Sequence, residues 1–342
     1  MKLGIIDQSP ILTGGTAAQA LSESLRLARF ADERGYHRFW FAEHHASAAF
    51  AGCAPEVMIG QALAATRRIR VGAGGVMLTH YSPYKVAETF KLLQTLYPGR
   101  IDLGIGRAPG SDGLTAAALA YGSRIGPEYF GAKLADLAAF LEDRVPHSEG
   151  LASVRCAPSV DTPPPLWMLG SSIDGAALAA QFALPYCHAH FIGPEHVNAA
   201  ADRYLDGFQP DSTLAPGTGT RRPYLTLGVF MLCAPTAEEA AALARCRDLW
   251  RVRVERGEFL PFPSLEEAQA YRFSPAEQQR LEQRAQHQLV GTAEQVRDDL
   301  RQLARETQAQ ELMIISITPD YGTRERSYAL LADAFDLPPG NT

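Results

Sequence analysis

His37-Arg38-Phe39-Trp40-Phe41-Ala42-Glu43-His44-His45 is an apolar run that ends abruptly in a carboxylate and two imidazoles. The run does not alternate, which marks a strand buried on both faces. A buried strand that opens into titratable groups is how a parallel α/β sheet presents chemistry at its carboxyl edge. Successive strand residues point to opposite sides, so one of His44 and His45 is expected to face the mouth. An imidazole there can act as acid, base or hydrogen-bond donor near neutral pH. The plainer alternative is a capping and ion-pairing role for both.

The same rhythm repeats on either side of this segment. Leu3–Asp7 reads as a strand. Ala17–Arg34 carries Leu21, Leu25 and Ala28 at a helical period and stops at Gly35. Pro55–Thr66 reads as a helix with Pro in its first turn. Ile69–Leu78 is a strand, Pro83–Leu96 a helix ended by Pro98-Gly99, and Ile101–Ile105 a strand. In the second half, Gly126–Leu141 reads as helix and Leu151–Ala157 as an optional extra strand. Strands follow at Leu166–Leu169, Leu184–His190, Thr226–Cys233 and Glu311–Ile317. Helices at Ile173–Gln181, Pro194–Phe208, from Glu238, and at Arg324–Phe335 separate or follow them. Eight strands with helical crossovers predict one α/β domain over residues 1–342, a (β/α)8 TIM barrel. An open doubly wound sheet is the competing architecture. The long gap before the last strand, rich in Pro, Glu, Gln and Arg over Arg256–Gln288, predicts an insertion after strand seven. It is expected to act as a lid at about 250–290. Pro210–Pro223 reads as a mobile loop beside the pocket.

The chain has 342 residues, 46% hydrophobic and 20% charged, with a formal net charge of -6. That balance gives no broad attraction to nucleic acid or to an anionic membrane. Cys53, Cys156, Cys187, Cys233 and Cys246 are scattered without a CxxC pair, so neither a disulfide framework nor a structural zinc site is expected. Asp7 follows only a few apolar residues, unlike a signal peptide, and no run reaches membrane-spanning length. A reduced, cytoplasmic setting is expected.

Four further strand ends supply candidate residues. Gly72-Ala73-Gly74-Gly75-Val76-Met77-Leu78 places glycines inside a strand, where they permit close approach of a flat ligand, an unusual peptide geometry or a bulge. Gly104-Ile105-Gly106-Arg107 brings a guanidinium suited to a phosphate or carboxylate, or to an ion pair with Glu43 or Asp102. Gly170-Ser171-Ser172 stands at a helix start, where hydroxyls and free N–H groups form an anion site or an ordinary cap. Together with Arg107 it would hold a terminal phosphate. His188-Ala189-His190 resembles the HxH pair of metal hydrolases, but later strands offer only Asp320. His287 lies in the insertion. No metal site is expected, and His190 reads as a pocket-lining residue. No Gly-x-Ser-x-Gly elbow and no Walker A lysine occur. Asp136 and Asp143 read as surface residues.

In order along the chain, Leu3-Gly4-Ile5-Ile6-Asp7-Gln8-Ser9-Pro10, Phe41-Ala42-Glu43-His44-His45, Ile101-Asp102-Leu103-Gly104-Ile105-Gly106-Arg107-Ala108-Pro109-Gly110, Leu166-Trp167-Met168-Leu169-Gly170-Ser171-Ser172 and Leu289-Val290-Gly291-Thr292 resemble the bacterial luciferase-like flavin-dependent monooxygenases. The resemblance spans residues 1 to about 335 and is to the non-luminescent subgroup. It implies FMN, received reduced from a separate NAD(P)H-dependent flavin reductase. It also implies O2 as co-substrate, a C4a-peroxyflavin that oxygenates a small organic substrate, and a homodimer. It implies His44 as the catalytic residue. Arg107, Ser171 and Ser172 would hold the phosphate, with Gly170 beside them. The residues themselves offer Gly72, Gly74 and Met77 as a close, apolar wall for the ring, with Gly75 beside it, and His190 as lining of the substrate or flavin pocket. A non-proline cis peptide is implied at about Gly74-Gly75. Light-emitting relatives carry a cysteine where this chain has Gly106, which argues against luminescence. Alternatives within the resemblance are hydride transfer with coenzyme F420 or flavin without O2, and a non-catalytic flavin-binding barrel.

Overall fold

Parallel strands alternate with helices in the computed structural model, which describes residues 1–108, 110–122, 126–285 and 288–340. The described strands are β1 (Lys2–Asp7), β2 (Arg38–Phe41), β3 (Arg70–Met77), β4 (Ile101–Gly106), β5 (Leu166–Gly170), β6 (Tyr186–Ala189), β7 (Leu225–Cys233), β8 (Leu289–Gly291) and β9 (Glu311–Ile315). The helices are α1 (Ala17–Glu33), α2 (Pro55–Ala65), α3 (Pro83–Leu96), α4 (Gly113–Ala120), α5 (Phe130–Leu141), α6 (Ile173–Gln181), α7 (Val197–Gly207), α8 (Ala237–Glu255), α9 (Leu265–Ala270), α10 (Pro275–Ala285), α11 (Ala293–Thr307) and α12 (Tyr321–Ala334). β1 through β7 pair in sequence except that β9 stands between β7 and β1, and the β6–β7 pairing closes the ring. Eight strands therefore form a closed barrel, and the open doubly wound alternative does not apply.

The burial pattern explains the closure. Leu3, Ile5, Phe39, Val71, Ile101 and Leu166 pack outward against helices through residues such as Leu27, Ile59 and Phe90. The alternate residues Ile6, Trp40, Trp167, Cys187, Phe230 and Met313 fill the interior. Trp40 and Trp167 meet edge to face at 5.1 Å. Side-chain caps start the helices where sequence chemistry allows. Thr16 Oγ1 accepts from the Gln19 amide at 3.2 Å at the start of α1, and Thr292 with Gln295 forms a capping box at α11.

An ion-pair cluster plugs the amino-terminal end. Arg38, the first residue of β2, reaches Asp102 at 2.5 Å and Glu311 at 2.7 Å. Arg70 holds the other Asp102 oxygen at 2.6 Å. Trp40 Nε1 donates to Asp102 at 3.0 Å and Tyr224 donates to Glu311 at 2.9 Å. Both carboxylates are fully buried.

Several sequence expectations need correction. Leu151–Ala157 forms no strand. α4, β8 and α11 were not foreseen. β8 is only three residues long and pairs with Met231–Cys233 of β7 outside the ring. Pro210–Pro223 is an αβ connection, so it lies at the end of the barrel opposite the βα loops. Glu142 pins it there by accepting from the Gly217 amide at 2.9 Å and the Thr218 amide at 2.7 Å. Asp136 is buried, not a surface residue, and accepts from the His147 amide at 2.7 Å. Asp143 follows α5 and pairs with the buried Lys91 at 2.7 Å. Pro109 and His287 lie outside the described residues. Among the described residues, no helix is long and apolar enough to cross a membrane.

Candidate active site

A cavity of about 710 Å³ opens at the carboxyl ends of the strands. That volume suits a flat cofactor or a drug-sized ligand. Phe50, Phe191, Phe230, Trp250, Phe262 and Ile315 supply much of its wall. Both His44 and His45 line it, which corrects the expectation that only one would. The physical reason is that β2 ends at Phe41, before either histidine. Strand alternation no longer applies, and Ala46 turns into the left-handed region at φ 51°.

The two imidazoles have different surroundings. His45 Nε2 lies 2.6 Å from Glu43 Oε1. The Tyr81 hydroxyl donates to the same oxygen at 2.6 Å, and the Met77 amide donates to Glu43 Oε2 at 3.1 Å. Glu43 is buried and so acts as the anchor of this wall. Burial and the Glu43 carboxylate push the Tyr81 phenol well up, keeping it a donor. His44 instead stacks on Phe50 with ring centroids 4.5 Å apart, and Phe50 meets Trp250 at 5.6 Å. Its Nδ1 is buried and has no hydrogen-bond partner among the described residues. Burial, with His45 adding to it, lowers the His44 pKa from 6.5 to about 4.

The imidazole of His44 is therefore neutral across the physiological range. Its folded pKa lies below the unfolded value, so the unfolded chain binds more protons between the two. The associated stability is full above about 6.5 and is lost as pH falls toward about 4. A proton NMR titration of His44 is expected to give a midpoint near 4, and a midpoint near 6.5 would refute this environment.

A second feature follows β4 and β5. Arg107 Nη2 donates to Ser172 Oγ at 3.0 Å. Ser172 Oγ also accepts from the Gly175 amide at 3.2 Å, capping α6. The guanidinium is thus directed at a helix N-terminus rather than at Glu43 or Asp102, each of which has other partners. The Tyr186 hydroxyl lies 3.4 Å from the carbonyls of Gly170 and Ser172, and a Cβ on Gly170 would meet nothing nearer than 3.7 Å. Ser171 lies between these two, its carbonyl against Gly193. Arg107, Gly170, Ser171 and Ser172 are brought together as one cationic cradle suited to a phosphate.

The glycines of β3 are placed otherwise. The Gly74-Gly75 peptide is cis. A Cβ on Gly74 would stand 2.9 Å from Trp40 Cβ, and one on Gly75 would stand 2.8 Å from the Gly104 carbonyl. Gly72 is packed on the backbone of Asp102, in the amino-terminal half of the barrel, so it is not a wall for a ring. Met77 is buried and packs on Gly110. Gly74, Gly75 and Met77 are not among the residues that line the 710 Å³ cavity.

His190 is buried and lines an adjoining cavity of about 320 Å³, which shares Phe191, Phe230, Arg247 and Arg251 with the larger one. His188 is separate from it. Its Nδ1 meets the Tyr186 hydroxyl at 3.2 Å and its Nε2 meets the Gly193 carbonyl at 3.1 Å. Burial lowers its pKa. The two histidines do not act as a pair. Among the described residues, no three His, Cys, Asp or Glu side chains gather as a metal site.

Sequence reading missed Phe50, Tyr81, Arg247, Trp250 and Arg251. For the last three a signal existed: Arg247 and Arg251 are four apart on a helix and flank Trp250, an arrangement that is costly unless it faces a ligand or a partner.

Comparison with known proteins places this geometry. A family profile described as luciferase-like monooxygenase matches residues 1–311. N-acetyl-S-alkylcysteine monooxygenase of Bacillus subtilis is 38% identical over 335 residues, covering 98% of this chain and 98% of that protein. A luciferase-like monooxygenase of Escherichia coli K12 is 37% identical, covering 96% of this chain and 95% of that one. The crystal structure of apo-MsnO8 superposes with a TM-score of 0.88 at 37% identity and covers 99% of each chain. With the closed barrel and its carboxyl-end cavity, these similarities show that the chain belongs to the luciferase-like monooxygenase family.

Proposed function

We propose that this chain is an FMN-dependent monooxygenase acting on a small organic substrate and fed by a separate NAD(P)H-dependent flavin reductase. The observation that carries the reading is one barrel mouth holding both a phosphate-sized cationic cradle and an apolar cavity. Arg107 with Ser172 and the start of α6 would hold the FMN phosphate. Reduced FMN, when bound, supplies the two electrons with which one oxygen atom of O2 enters the substrate and the other leaves as water. The aromatic wall excludes water from that chemistry. His44 Nδ1, neutral and unpartnered, is available to hold or pass a proton at the cavity surface. Glu43 fixes His45 beside it. The segment from α8 to α10 supplies Trp250 and Phe262 and serves as the lid over the mouth.

Anaerobic titration with reduced FMN, followed by stopped-flow mixing with O2, tests the reading. A transient absorbance distinct from both reduced and oxidised FMN is expected. Tight binding of F420 alone, without FMN affinity, would overturn it. The assay substrates begin with N-acetyl-S-alkylcysteines, the class in the name of the 38% identical relative. His44→Ala is expected to leave FMN affinity within about twofold while turnover falls by roughly 100-fold, the usual scale for a lost proton-transfer group. Unchanged turnover would remove His44 from the chemistry.

A further inference from the structure

The apolar cavity is not uniformly apolar. Arg247 and Arg251, one turn apart on α8, both line it and also line the adjoining cavity. The Arg247 guanidinium carbon lies 3.4 Å from the centroid of the Phe230 ring. Among the described residues it has no hydrogen-bond or ion-pair partner. Arg251 Nη2 donates to the Phe191 carbonyl at 3.1 Å, and its Nε is buried without a partner.

The nearby acids attract them but form no ion pair with them. Glu255 lines the cavity but is held by Arg284, and by Arg280 at 3.1 Å. Asp248 accepts from Gln288 at 3.4 Å and forms no ion pair with either arginine. Asp112 lines the cavity from α4's start, where it accepts from the amides of Leu114 and Thr115. Glu195 lines only the smaller cavity. Burial, together with repulsion from Arg251 and Arg284, holds the Arg247 guanidinium well below its ordinary pKa. Two cations without an ion-pair partner in an apolar wall are costly to keep unless an anion completes them.

We propose that Arg247 and Arg251 receive an anionic group of the organic substrate, a carboxylate or its equivalent, so that the substrate is an amphipathic acid. Its apolar body lies against Phe50, Trp250 and Phe262, and its charged end rests on α8. The guanidinium fork suits a carboxylate by two parallel hydrogen bonds. This rests on the cavity being the substrate site. The rival anion is the flavin phosphate, which the Arg107–Ser172 cradle accommodates on other strands.

The test compares N-acetyl-S-methyl- and N-acetyl-S-benzyl-L-cysteine with their primary amides. Binding is measured calorimetrically on the full chain, with and without saturating oxidised FMN. At least one acid is expected to bind about tenfold or more tighter than its amide, the scale of a charge-assisted pair. Arg247→Met with Arg251→Met is expected to abolish that preference and leave FMN affinity within about twofold. The proposal is overturned if acids and amides bind alike, if none of the four binds, or if the double variant loses FMN affinity instead. Should the double variant fail to fold by circular dichroism, Arg251→Met alone and the wild-type acid-to-amide ratio decide. Binding is read without turnover, so a failed oxygenase assay does not alter its outcome.

Discussion

Arg107→Ala is expected to weaken FMN binding by roughly 10- to 100-fold, measured by fluorescence titration. The expectation follows from what the guanidinium touches. It donates to Ser172 Oγ at 3.0 Å, at a hydroxyl that already caps α6. A phosphate placed there would meet the arginine, the hydroxyl and the free amides of the first helical turn together. Hydrogen bonds to charged groups contribute about 1.5–3 kcal/mol, and about 1.4 kcal/mol is a factor of ten in affinity. Arg107→Lys is expected to fall between the two, because an ammonium keeps the charge but not the planar fork. The effect belongs to the phosphate, so riboflavin should bind wild type and variant equally. Unchanged FMN affinity in Arg107→Ala would take the residue out of the site.

Arg38→Met carries the largest expected effect on stability, a loss of about 3–5 kcal/mol in urea unfolding. Arg38 is the shared partner of two fully buried carboxylates, Asp102 and Glu311. Its removal leaves Asp102 with Arg70 and Trp40 Nε1, and Glu311 with the Tyr224 hydroxyl alone. The pH dependence has a defined sign. Burial raises the Asp102 pKa, but Arg38 and Arg70 more than offset it, and the net value falls below 3.8. A depressed carboxylate contributes its stability above the unfolded value and loses it as pH falls through the folded one. Without Arg38, Asp102 titrates higher, so acid unfolding of the variant should begin at a higher pH. A loss below about 1 kcal/mol would mean that the cluster relaxes around the vacancy.

The parallel sheet was legible because its strands are buried on both faces, whereas its closure rests on the β6–β7 pairing, which those runs do not carry. Continuous runs such as Phe39-Trp40-Phe41 and Leu225–Cys233 have few other readings. β8 was not legible, because three residues carry no periodicity. α11 carries its own signals, a capping box and an apolar stripe through Val296, Leu300 and Ala304, but its charged remainder continues the composition of the insertion before it. Arg107 and Ser172 could be singled out because they follow the ends of β4 and β5, and His44 because it lies in the loop after β2. The anchoring role of Glu43 was not legible, since its three partners come from Met77, Tyr81 and His45 on separate turns of chain. The placement of Pro210–Pro223 failed for a different reason. Composition marks a loop but not the end of the barrel it occupies, and Glu142 lies 75 residues away from Gly217.

β8 has a meaning for how such enzymes diversify. The Ala234 amide donates to the Gly291 carbonyl at 3.1 Å, so the two stems of the intervening stretch leave the ring side by side. The stretch between them, including Trp250, Phe262 and both arginines of α8, is a cassette whose stems meet beside β7 and whose middle pairs with the loop after β1, the Phe262 amide donating to the Ile11 carbonyl at 2.8 Å and the Thr13 amide to the Phe262 carbonyl at 2.9 Å. Lengthening such a closed stretch adds little entropy, about 0.6 kcal/mol for each doubling. A homologous cassette grafted at 234 and 291 would therefore exchange the roof of the cavity and leave the ring register in place, provided that it keeps the backbone pairing now made by Phe262 with Ile11 and Thr13.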